Sequence, residues 1–120
     1  MIDRNCSKKF DVYEVQSLFL LASLFRYDAV MQSIGEKHRT RIILLENVPV
    51  IDSTGLRDLT IFCKTCKNRN INIILSGVSP QVLNAISTSE LKDLIGSDNI
   101  FQDTKMAFRK AEELSSGDSF

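Results

Sequence analysis

The chain has 120 residues, a length that suits one domain with one core. Hydrophobic residues make up 43% and charged residues 25%, and fifteen basic side chains cancel fifteen acidic ones. That balance is ordinary for a globular protein and leaves no cationic surplus with which to displace the counterions of nucleic acid.

Three cysteines, Cys6, Cys63 and Cys66, are too few and too odd in number for a disulfide framework, so a reducing compartment is expected. The opening "MIDRNCSKKF" lacks the apolar stretch of a signal peptide. The longest nearly unbroken apolar run, Leu18 to Phe25, is about half of what a membrane-spanning helix needs.

Residues 1 to 9 are mostly polar and read as an arm or linker. Phe10 to Gln16, with Val12, Tyr13 and Val15, reads as a strand. From Leu18 to Ile34 the apolar residues recur at helical spacings, and Gly35 marks the end of that helix. Ile42 to Leu45 is a continuous aliphatic run, the pattern of a strand buried on both faces. A helix follows from the segment "VPVIDSTGLRDLT" to about Arg69, and Ile71 to Ser76 is a second buried strand. Ser79 as N-cap and Pro80 at the first position open another helix. Ser87 and Glu90 have capping-box spacing and predict a short helix in "STSELKDLIG". Asn99 to Phe101 reads as a short edge strand, "DTKMAFRKAEEL" as a final amphipathic helix, and residues 115 to 120 as a loose tail. Buried strands joined by crossover helices pair in parallel, so the fold class is α/β with a sheet of four or five strands.

Sites in such sheets form where strands end and helices begin. Residues 52 to 55, Asp-Ser-Thr-Gly, stand at such a place. Asp52 or Ser53 can cap the helix, and Gly55, lacking a Cβ, leaves room for something to approach the backbone. A phosphate on Thr54 or Ser53 would add about −1.5 to −2 charge at the positive end of the helix, with Arg57 one turn on to pair with it. Such a change would gate binding at the surface and leave the helix intact. The plain alternative is that these four residues are only a good helix start.

Other signals are weaker. Cys63 and Cys66 form a Cys-x-x-Cys pair about two turns into a helix, in one stripe with Leu56 and Leu59, so core packing outweighs redox or metal chemistry. His38, the chain's one histidine, reads as a solvated loop residue. Lys64, Lys67 and Arg69 read as a solvated helix end. No nucleophile, base and oxyanion site come together, so the sequence predicts no enzyme, no cofactor and no metal.

"NVPVIDSTGLRDL" resembles the signature segment of STAS domains, which occur as bacterial anti-sigma factor antagonists and as the cytoplasmic C-terminal domain of sulfate permease family transporters. "VYEVQSLFLLASLF", "RIILLENVPVID", "INIILSGVSPQV" and "IGSDNIFQDTKMAF" resemble, in order, further segments of the transporter branch. The departures are Ser17-Leu18 where Gly-Pro is common, Leu20-Leu21 where two phenylalanines are common, and Ala22 where glycine is common. The short link "GEKHRT" replaces the long insertion of animal transporters and points to a bacterial source.

The resemblance implies a STAS domain over residues 10 to 114, with helices packed on a mixed sheet. It implies a cytoplasmic regulatory and protein-interaction module at the inner face of the membrane, partnered by the membrane transport domain of the same polypeptide or by another cytoplasmic regulatory protein. It makes Thr54 the candidate phosphoacceptor, with Ser53 its neighbour, and residues Asp52, Ser53, Thr54, Gly55 and Arg57 the partner-binding surface. The alternative it carries is a free-standing antagonist phosphorylated at Thr54 by an anti-sigma kinase partner. Nucleotide or acyl carrier protein binding occurs in some members, but no motif here predicts either. The sequence fixes no oligomeric state.

Overall fold

The computed structural model describes residues 10–15, 25, 26, 29 and 38–117. Strands β1 (Asp11–Glu14), β2 (Thr40–Leu44) and β3 (Asn72–Ser76) form a sheet in the order β1-β2-β3, with both pairs parallel. Tyr13 stands opposite Ile43, and Ile42 opposite Ile74. All five residues of β2 are buried, as its central place and its aliphatic run require.

Successive side chains of β2 serve two cores. Ile43 and the following Leu45 pack with Leu59, Phe62, Cys63 and Cys66 on helix α1 (Ser53–Asn68). Val82 and Ile86 of α2 (Pro80–Ser87) and Leu91 and Ile95 of α3 (Leu91–Ile95) complete that side. Ile42 and Leu44 point the other way, with Phe10 and Ile74, onto Ala107 and Ala111 of α4 (Thr104–Gly117). The small alanines let α4 lie close to the sheet. The result is a sheet covered on both faces, the arrangement an all-parallel set of strands needs.

Several expectations are refined. Among the described residues the sheet has three strands, and the expected edge strand at Asn99 to Phe101 is reduced to one parallel bridge between Leu75 and Ile100. There Phe101 N–H donates to Leu75 O at 2.8 Å and Val78 N–H donates to Phe101 O at 3.1 Å. The described pairings are all parallel, so the antiparallel member of a mixed sheet is not among them. Ser79 caps α2 as expected, its Oγ accepting from Val82 N–H at 3.3 Å with Pro80 in the first turn. The Ser87 and Glu90 box does not form: Ser87 closes α2 and donates to Asn84 O, and Glu90 makes no side-chain cap to α3. Ser89 Oγ accepts from Leu91 N–H instead, at 3.1 Å. Helix α4 runs to Gly117, past the limit expected at 114, with Ser115 buried and its Oγ donating to Ala111 O. The helix expected from Leu18 to Ile34 lies outside the described residues, except that Phe25, Arg26 and Ala29 are helical and Phe25 packs edge-on against Phe62. The arm at 1 to 9 is likewise outside them.

Gly77, between β3 and α2, has φ +71°, and a Cβ there would stand 2.3 Å from Glu46 Cγ and 3.1 Å from Glu46 N. The turn leaving β3 therefore needs glycine both for its backbone and for its space.

Candidate functional site

The end of β2 and the start of α1 position the signature. Asp52 is the N-cap, in extended conformation, and its Oδ1 accepts from Gly55 N–H at 2.8 Å. Its carbonyl accepts from Leu56 N–H at 2.9 Å, the first bond of the helix. Of the two candidates for the cap, Asp52 therefore takes it and leaves Ser53 free of that duty. The space at Gly55 is filled from within: a Cβ would meet Ile51 Cγ1 at 3.0 Å and Asp52 Oδ1 at 3.3 Å. Glycine here lets the cap fold over the helix start, and the Ile51 and Asp52 side chains make a close approach to its backbone.

The loop entering α1 is tied to the first turn of α2. Ser79 Oγ donates to Pro49 O at 2.8 Å. Gln81 clamps the backbone of Ile51, its Oε1 accepting from Ile51 N–H at 2.8 Å and its Nε2 donating to Ile51 O at 3.3 Å. Gln81 carries no local signal, since nothing distinguishes it from any polar residue in a first helical turn. The second role of Ser79 was equally hidden, because Pro49 lies thirty residues away.

Ser53, Thr54 and Arg57 are exposed, and Gly55 is half-buried. Arg57 is 72% exposed, with Nε 3.8 Å from Asp58 Oδ1. Ser53 opens onto a shallow groove of about 410 Å³ formed with Leu56, Arg57, Thr60, Ile61 and Lys64 of α1 and with Ser89 and Glu90. Lys64 Nζ lies 3.2 Å from Glu90 Oε2 across that groove. Thr60 hydroxyl is occupied by Leu56 O at 2.8 Å, which leaves Ser53 and Thr54 as the hydroxyls at the helix start that face outward. Val50, two residues before the Asp52 cap, is 63% exposed, and Ile61 in the groove is 44% exposed. The exposed residues of this segment thus include two hydroxyls, a guanidinium and two aliphatic side chains.

The remaining sequence candidates have structural places. Cys63 and Cys66 are buried thiols in the core between α1 and the sheet. Burial, reinforced by the neighbouring Cys66, pushes the Cys63 thiol well above the ordinary thiol value, the reverse of what a redox pair requires. His38 is not a solvated loop residue: its Nδ1 lies 2.9 Å from Asp11 Oδ1 and it is only 25% exposed. Asp11 stands opposite Arg41 in the register, and Arg41, buried in β2, reaches Cys66 Sγ with Nη1 at 3.3 Å and lies over the Tyr13 ring at 5.2 Å. Among the described residues no three His, Cys, Asp or Glu side chains converge where a metal could sit. No helix among them is long and apolar enough to cross a membrane.

Comparison with known proteins places this geometry in context. The sequence pattern of the STAS domain matches residues 13–107. Sulfate transporter 1.3 of Arabidopsis thaliana is 35% identical over 65 residues, which are 52% of this chain and 10% of that protein. The chain therefore spans about a tenth of the length of the curated relatives it matches. A sulfate transporter family protein from Wolinella succinogenes superposes with a TM-score of 0.79 at 27% identity, over 92% of this chain and 90% of that one. The STAS domain of a SulP transporter from Vibrio cholerae superposes with a TM-score of 0.83 at 24% identity, over 92% and 87%, a likeness of fold.

Proposed function

The chain belongs to the STAS domain family, and on that premise we propose that it is the cytoplasmic regulatory domain of a sulfate permease-type anion transporter. Its role is to bind protein, with no chemistry of its own, and its partner is the membrane transport domain of the same polypeptide or a cytoplasmic regulator docked there. The observation that carries the reading is the segment at the start of α1, where Ser53, Thr54 and Arg57 are exposed, as are the aliphatic Val50 and Ile61. Uncovered aliphatic side chains rimmed by polar groups suit a protein interface better than a small-molecule pocket. The likeness to sulfate transporters, carried by a similar fold from Wolinella succinogenes and by 35% identity to a plant transporter, supplies the context. An epitope tag placed at the chromosomal locus tests it. The reading expects a transporter-length polypeptide in the membrane fraction; a soluble band near the 13.6 kDa of this chain would reject it.

A second reading rests on Thr54. Its side chain is exposed at a helix N-terminus, where the partial positive charge favours a phosphate. In a free-standing antagonist that residue would take phosphate from an anti-sigma kinase, and the added charge would act on the partner because the Asp52 cap holds the helix independently. Incubation with the cognate kinase followed by mass spectrometry distinguishes the two. Phosphate absent from both Thr54 and Ser53 removes the second reading.

A further inference from the structure

Between β2 and α1 the chain passes through residues 48–52 with no regular secondary structure. Pro49 has no N–H to give, and among the described residues no backbone–backbone hydrogen bond holds Pro49, Val50 or Ile51. The Ile51 side chain is buried and anchors the loop to the core. By itself a buried side chain does not fix the peptide planes on either side of it. Those planes decide where the next residues point. Asp52 takes an extended backbone, with φ −97° and ψ −178°, and the helix that carries Ser53 and Thr54 starts directly after it. A turn of the Ile51 peptides would re-aim the cap and the two exposed hydroxyls together.

Gln81 holds both planes. Its Oε1 accepts from Ile51 N–H at 2.8 Å and its Nε2 donates to Ile51 O at 3.3 Å. A backbone N–H can only donate, so the amide oxygen must face it, and the contacts set the amide orientation. The pairing copies the exchange of two hydrogen bonds between opposed residues of an antiparallel sheet. At neutral pH it needs a donor and an acceptor side by side on one planar group, which an amide supplies and a carboxylate or a guanidinium does not. The first turn of α2 keeps the glutamine in place. Ser79 Oγ accepts from Val82 N–H at 3.3 Å, and the same oxygen donates to Pro49 O at 2.8 Å. Loop and helix are thus joined by three hydrogen bonds.

We infer that Gln81 is the positioning residue of the signature surface: by clamping both peptide groups of Ile51 it sets the orientation in which Ser53 and Thr54 meet a partner. The inference rests on the proposed regulatory reading, since a surface that binds nothing needs no fixed orientation. It makes α2 the element with which the signature moves.

The test compares amide hydrogen exchange and amide NMR shifts of the chain with those of Gln81→Ala and Gln81→Glu at neutral pH. In Gln81→Ala, exchange at Ile51 should rise at least about tenfold, and by more than at Ile42 and Ile43 of β2, which report on the whole fold. The amides of Asp52 to Gly55 should shift with it. Gln81→Glu keeps an acceptor for Ile51 N–H and loses the donor to Ile51 O. It should therefore leave Ile51 exchange within about threefold of wild type while the Asp52 amide, whose peptide contains that carbonyl, shifts. This variant carries the test should Gln81→Ala fail to fold. A rise at Ile51 no greater than that in β2, or unmoved signals from Asp52 to Gly55, would reduce Gln81 to a contributor to stability and overturn the inference. In cells expressing the parent gene, Gln81→Ala at equal membrane abundance should change sulfate uptake in the same direction as Arg57→Glu. Uptake altered by Arg57→Glu and normal in Gln81→Ala would overturn the positioning role and leave the regulatory reading standing. Uptake altered by neither would reject that reading, and the inference with it.

Discussion

Replacing Asp52 with alanine probes the geometry on which the signature surface depends. Asp52 Oδ1 accepts from Gly55 N–H at 2.8 Å, and among the described residues no other side chain supplies a cap to the start of α1. Loss of an N-cap acceptor costs about 0.5–2 kcal/mol. The carboxylate also lies at the positive end of a helix, where an exposed anion contributes about 0.3–1 kcal/mol. The two overlap, so Asp52→Ala should destabilise the chain by about 1–2 kcal/mol. At about 4 °C per kcal/mol for a domain of this size, the melting temperature falls about 4–8 °C. Asp52→Asn separates the two contributions, because its amide oxygen still caps but carries no charge; it should cost a few tenths of a kcal/mol, about the charge effect alone. The assay is thermal and urea unfolding followed by circular dichroism, with mid-point and slope compared across the three chains. An alanine variant melting within about 1 °C of wild type, or an asparagine variant as damaged as the alanine one, would show that this cap does not hold the helix start.

Other perturbations follow from the same structure. Thr54→Glu puts a negative charge in the first turn of α1, so stability should hold or rise by up to about 1 kcal/mol, and a clear loss by the same unfolding assay would contradict a switch that acts on binding alone. Asp11→Ala removes the carboxylate 3.9 Å from the buried Arg41 and should cost about 1–3 kcal/mol, whereas Asp11→Ala combined with Arg41→Met should recover part of that loss; strict additivity in the double-mutant cycle would deny the coupling. Gly77→Ala forces a side chain into positive φ against Glu46 and should cost about 1–3 kcal/mol, so a neutral result by chemical denaturation would contradict the turn geometry. The Cys63 thiol is raised by burial, so the folded chain keeps its proton while the unfolded chain ionises near the ordinary value of about 8.5. Its contribution is therefore fully present below that pH and declines above it. Alkylation of this thiol should wait on unfolding, and rapid labelling of the native chain would refute its burial.

What was legible in the sequence was what local chemistry decides. The aliphatic run at Ile42 to Leu45 announced a strand covered on both faces, and Ser79-Pro80 announced a helix start, because each pattern has one favourable outcome. Asp52 was one of two plausible caps, and only the extended backbone of Asp52, with the helix beginning at Ser53, selected it. Ser87 failed as a cap because α2 absorbs it first, a competition between neighbouring helices that spacing alone does not resolve. The cluster of Asp11, His38 and Arg41 was invisible because it depends on the register that sets β1 beside β2. An arginine at the head of an aliphatic run reads as solvent-facing until a partner strand brings a carboxylate beside it. The clamp of Gln81 on Ile51 has the same origin: it joins residues far apart in the chain, which only tertiary packing brings together.

On the proposed reading, the surface at the start of α1 regulates a transporter. Uptake of radiolabelled sulfate tests it in cells expressing the parent gene, with Arg57→Glu and Thr54→Glu compared with wild type at equal membrane abundance. Both residues are exposed, so the fold should survive either change. Uptake altered several-fold by both variants is the predicted result. Uptake unchanged by either, with the transporter present and folded in the membrane, would contradict the claim.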